Sequence, residues 1–159
     1  MKKLLAGIFI LSTLVLAGCE QHPQPEAKTV SENIIFTTLQ NKQITLESLK
    51  GKWIVLNYWA SWCKPCYKEI PALNTFAKKY RDKVVVMGIS YDQLEPDQLP
   101  ALVKKMKIEF TTLKYDQSAE VGIGHVPGLP ATYILNPEGK LVKTLLGEQT
   151  EESLARQIA

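Results

Sequence analysis

The stretch Trp53-Ile54-Val55-Leu56-Asn57-Tyr58-Trp59 carries an apolar or aromatic side chain at every position but Asn57. A strand that alternates apolar and polar residues turns one face to water, whereas a nearly unbroken apolar run is covered on both faces. β-branched and aromatic side chains also favour extended backbone, so Trp53–Trp59 is expected to be the central strand of a buried sheet. Beyond it, Ile70, Leu73, Phe76, Ala77 and Tyr80 recur at spacings of three and four, the mark of a helix with one buried face running from Pro65 to Tyr80. Pro65 suits the first turn of that helix, and Pro71 inside it should bend it. Val84–Ile89 then reads as a second buried strand. Strand, helix and strand in this order imply an α/β chain with a parallel or mixed sheet under helical cover.

The rest of the chain extends the alternation. Asn33–Leu39 and Gln43–Leu46 read as short strands around an Asn41-Lys42 turn, an N-terminal β-hairpin. Asp97–Lys107 reads as a helix with Leu99, Leu102, Val103 and Met106 inward, followed by a short strand at Phe110–Leu113 and a helical turn near Ser118–Val121. Asn136-Pro137-Glu138-Gly139 fits a type I turn joining strands Thr132–Leu135 and Leu141–Leu146. Thr150, followed by Glu151 and Glu152, is a helix start for Thr150–Ile158. No repeat interrupts the pattern, so residues 32–159 form one domain.

Residues 1–18 differ in kind. Lys2 and Lys3 precede an apolar run from Leu4 to Leu16 that ends in small residues, the order of an export signal. The run of about 13 residues falls short of the ~20 that a membrane-spanning helix needs. Leu16-Ala17-Gly18-Cys19 resembles a bacterial lipobox, which implies removal of the leader and acylation of Cys19; an ordinary secretory cleavage site would instead leave a free thiol there. Residues 19–31, with two Pro, two Gln and scattered charge, then read as a tether to a membrane. Without the leader, 17 basic residues face 16 acidic ones. Such a balance argues against a nucleic-acid binder, which needs a concentrated basic surface.

Three cysteines are an odd number for an exported chain, and acylation of Cys19 leaves one pair, Cys63 and Cys66. Trp62-Cys63-Lys64-Pro65-Cys66 lies where the central strand meets the first helix. A sulfur at a helix N-terminus faces unpaired backbone N–H groups and the positive end of the helix dipole, which favour thiolate. Lys64 adds charge of the same sense. Cys63 is therefore expected to be the exposed nucleophile and Cys66, one turn in, the resolving thiol. Closing a loop of four residues adds little stability, which argues against a purely structural crosslink. Zinc would want four ligands, and the domain offers only His125 besides the pair, with His22 out in the tether.

Asn57-Tyr58-Trp59-Ala60-Ser61-Trp62-Cys63-Lys64-Pro65-Cys66 resembles the active-site segment of the thioredoxin superfamily. Gly128-Leu129-Pro130-Ala131-Thr132-Tyr133-Ile134-Leu135 is similar to that superfamily's cis-proline segment. The lead-in from Leu46 to Lys52 and the Asn136–Gly139 turn bring the likeness closest to the membrane-anchored ResA/TlpA branch, often linked to cytochrome c maturation. The resemblance implies a thioredoxin fold, a central mixed sheet with helices on both faces. It also implies a monomeric thiol-disulfide oxidoreductase without cofactor, acting on protein thiols or disulfides such as those of apocytochrome c and recharged by a transmembrane thiol donor. Pro130 would be the cis residue and Leu129 would offer its backbone to substrate, with Trp62, Lys64 and Pro65 beside the sulfurs. Trp59 and Trp62 are read as a flat apolar rim.

Asn57 stands where cytoplasmic thioredoxins carry a buried Asp that moves a proton, and Asn cannot titrate. Glu69, three residues after Cys66 on the same helix face and matched by a Glu in the ResA branch, is the candidate replacement. An exported oxidase or isomerase is a rival reading, as is a Sco-like copper carrier using Cys63, Cys66 and His125. A peroxidase lacks its Pro-x-x-x-Thr/Ser-x-x-Cys loop here.

Overall fold

A computed structural model describes residues 34–95 and 97–158; the leader, Cys19 and the tether with His22 lie outside the described residues. The strongest apolar run forms β3 (Trp53–Trp59), buried over all but its first residue. It is flanked on one side by β4 (Val84–Ser90), parallel to it, and on the other by β6 (Ala131–Leu135), antiparallel to it. β5 (Thr111–Thr112) and β7 (Leu141–Leu146) complete a mixed sheet in the order β5-β4-β3-β6-β7. The expected hairpin forms separately from β1 (Ile35–Thr37) and β2 (Gln43–Thr45), with Phe36 opposite Ile44.

Three helices follow the apolar periods: α1 (Lys64–Lys79), α2 (Leu99–Met106) and α3 (Glu151–Ala155). Their buried residues, among them Ile70, Leu73, Phe76, Met106 and Leu154, share one cluster with Val55, Val84 and Val86, so all three lie on one face of the sheet. The opposite face, lined by Ile54, Leu56, Met87 and Ile89, packs against the hairpin, Leu49 and Val121. Among the described residues, helical cover there is limited to 3-10 turns at Glu47–Leu49 and Ser118–Val121. The expectation of helices on both faces thus holds for α-helices on one face only. Crossovers β3-α1-β4 and β4-α2-β5 step across the sheet in the same direction, and right-handed connections of that kind land on the same side.

α1 continues through Pro71 to Lys79. In the β6–β7 turn Gly139 donates its N–H to Asn136 O at 2.8 Å. Gly139 has a positive φ of 75° and lies against Leu46, so a side chain would be strained and crowded there. Thr150 caps α3 as expected, accepting from Ser153 N at 3.1 Å while Ser153 Oγ accepts from Thr150 N. Ser153, rather than a Glu, supplies the returning half of that capping box.

Candidate active site

β3 and β4 are parallel, so their carboxyl ends open on the same edge, where sites of α/β sheets gather. There the chain turns from Trp59 through Ala60-Ser61-Trp62 into α1. The turn is fastened to the end of β4. Ser61 donates its N–H to Asp92 Oδ2 at 2.8 Å and its hydroxyl to Asp92 Oδ1 at 2.7 Å, and Tyr91 N–H donates to Trp59 O at 2.7 Å. Asp92 was not among the residues singled out in the sequence. Its only signal there is its place just past a buried parallel strand.

Cys63 is the N-cap of α1 in extended conformation, and its Sγ accepts from Cys66 N–H at 3.3 Å. The two form a disulfide with a Cα–Cα distance of 5.3 Å. Sulfur therefore sits among the unpaired N–H groups of the first turn, as the position in the sequence implied. Pro65, in that turn, has no N–H to leave unpaired. Cys63 is the more accessible residue of the pair, at 4 % exposed against 0 % for Cys66. The outer cysteine is thus recessed rather than openly exposed. Trp62 next to it is 65 % exposed and Lys64 is exposed. Trp59 is fully buried, so the apolar rim contains Trp62 alone of the two.

The peptide before Pro130 is cis, not the one before Pro127. Pro130 is buried, and Leu129 packs against the cluster that holds both cysteines.

Three residues after Cys66 on α1, Glu69 is completely buried. Its Oε1 accepts from Asn57 Nδ2 at 2.8 Å and its Oε2 from Gln149 N–H at 3.0 Å. Burial disfavours the charged carboxylate and pushes its pKa up to about 7, with the nearby Glu148 adding to the rise, while the two hydrogen bonds hold it down. A carboxyl poised at that value gives or takes a proton near neutrality with little bias. The site therefore joins an exchangeable disulfide to a buried acid one helical turn further on.

The AhpC/TSA family model matches residues 23–144. The chain belongs to the AhpC/TSA family. Among curated relatives, the thiol-disulfide oxidoreductase ResA of Bacillus cereus is 36 % identical over 77 % of this chain and 70 % of its own length. The thioredoxin-like protein YneN of Bacillus subtilis is 28 % identical and matches 99 % of this chain and 98 % of its own. The crystal structure of StoA from Bacillus subtilis superimposes with a TM-score of 0.63 at 25 % identity, covering 77 % of this chain and 92 % of that one. This AhpC/TSA-family member is a thiol-disulfide oxidoreductase of thioredoxin-like fold.

Among the described residues no group of three His, Cys, Asp or Glu is gathered as a metal site, and His125 stands exposed in the 122–128 segment. Nor is any described helix long and apolar enough to cross a membrane.

Proposed function

We propose that this oxidoreductase is an exported reductase of protein disulfides, held at a bacterial membrane through acylated Cys19. The disulfide at the mouth of α1, with buried Glu69 a turn below it, carries this reading. In the reduced state Cys63 attacks a partner disulfide and forms a mixed disulfide. Cys66 then loses its proton to Glu69 and displaces the partner, leaving the Cys63–Cys66 bond. Leu129 and Pro130 line the approach and offer backbone to an extended peptide, while Trp62, Lys64 and Pro65 form the surface beside it. The export signal supports a location outside the cytoplasmic membrane, where a transmembrane thiol donor returns the pair to the dithiol. Likeness to ResA favours apocytochrome c as partner and a monomer as the working form.

A peptide bearing an oxidised Cys-x-x-Cys-His segment, the haem-attachment motif, tests the substrate class. The dithiol protein is expected to reduce it faster than a peptide disulfide of unrelated sequence, and Cys63→Ser to abolish the reaction. Equal rates on both peptides remove the cytochrome reading. A reduction potential as oxidising as that of dedicated disulfide donors would instead favour the oxidase reading.

A further inference from the structure

Asn57 lies fully buried in β3. Val55 and Trp59, two residues to either side on the same sheet face, belong to the cluster covered by α1. Both amide hydrogens of Asn57 are engaged: Nδ2 donates to Glu69 Oε1 at 2.8 Å and to Thr132 Oγ1 at 3.2 Å. Its Oδ1 is buried and accepts nothing. An acceptor buried without a donor costs about 1–3 kcal/mol, so such an atom points to another state in which a donor faces it.

Reduction creates a donor in this layer. Two electrons and two protons open the Cys63–Cys66 bond and turn the fully buried Cys66 sulfur into an S–H group. Cys66 lies one turn before Glu69 on the buried face of α1 and shares its cluster with Val55 and Trp59.

We propose that Asn57 is a positioning residue bridging the two groups that handle the proton: Nδ2 holds the Glu69 carboxylate, and Oδ1 accepts the S–H of reduced Cys66. This rests on the reading of Cys66 and Glu69 given above and deepens it. When the dithiol reduces a substrate disulfide, two electrons pass to the substrate sulfurs. These leave as thiols, balanced by the two protons that Cys63 and Cys66 give up, the Cys66 proton departing through Glu69, and the Cys63–Cys66 bond forms. Asn57 Oδ1 is then orphaned again, so the bridge favours dithiol over disulfide. The groups around Glu69 are Cys66 on its own helix, Asn57 on β3 with Thr132 of β6 behind it, and Glu148 and Gln149 before α3. Asp at position 57 would set a second carboxylate against Glu69, whereas the amide donates at one end and accepts at the other.

In the full chain carrying Cys19→Ser and Cys63→Ser, Cys66 is the sole thiol, and its S–H stretching band in the infrared reports the acceptor directly. The band is expected below the free-thiol position, and Asn57→Ala is expected to return it there. With the cysteine pair intact, Asn57→Ala should lower the dithiol-to-disulfide ratio about tenfold at a fixed poise, a potential about 30 mV more negative. A free-thiol band with Asn57 in place overturns the proposal even if Asn57→Ala fails to fold. A band indifferent to the substitution overturns it too, since a backbone carbonyl then takes the proton, and so does a potential that stays put or rises. The Glu69 reading fails separately, through an unchanged pH profile of exchange in Glu69→Gln.

Discussion

At the scale of single residues, Glu69 couples chemistry to stability. Its folded pKa of about 7 stands above the ordinary 4.5, so between these values the folded chain holds a proton that the unfolded chain has lost. Stability from this group is therefore full below about pH 4.5 and declines as pH rises through about 7, by about 3 kcal/mol in all. Urea denaturation of the oxidised protein at a series of pH values should show this decline against a flatter profile for Glu69→Gln; parallel profiles would mean that burial does not perturb the acid. Cys63, Cys66 and the cis position of Pro130 were legible in the sequence because each stands in a dense local motif. The recess of Cys63, the burial of Trp59 and the Ser61–Asp92 clamp were not. They depend on which face of β3 a side chain takes and on a strand that arrives some thirty residues later.

Among the elements, legibility followed the length of the apolar pattern. β3 and α1 match their expected spans closely, whereas among the described residues the first expected strand pairs only over Ile35–Thr37, and Phe110–Leu113 shrank to Thr111–Thr112. The short strands lie at margins, where pairing partners rather than propensity set the ends. Gly88 in β4 illustrates packing that no period reveals. A Cβ there would stand 2.8 Å from Phe110 Cε2 and 2.9 Å from Trp59 Nε1, and both residues are buried. Gly88→Ala is expected to destabilise the protein by about 1–3 kcal/mol through overpacking, read as a lower urea midpoint at unchanged slope. A neutral result would show that Trp59 can shift freely beneath the active-site turn.

For the molecule as a whole, the sheet and its two apolar faces hold the fold, and the disulfide adds little. A loop of four residues restricts the unfolded chain by about 2 kcal/mol at most. Cys63→Ala with Cys66→Ala should accordingly retain native circular dichroism and lose activity altogether; collapse of the fold would recast the pair as a structural staple. The placement of α1, α2 and α3 on a single face was beyond the sequence pattern, which marks each apolar stripe without saying where the crossover lands.

Because Cys63 is recessed at 4 % exposure, a partner crosslink engaged by the chemistry proposed above has to project toward it, which disfavours cystines held below the surface of a rigid domain.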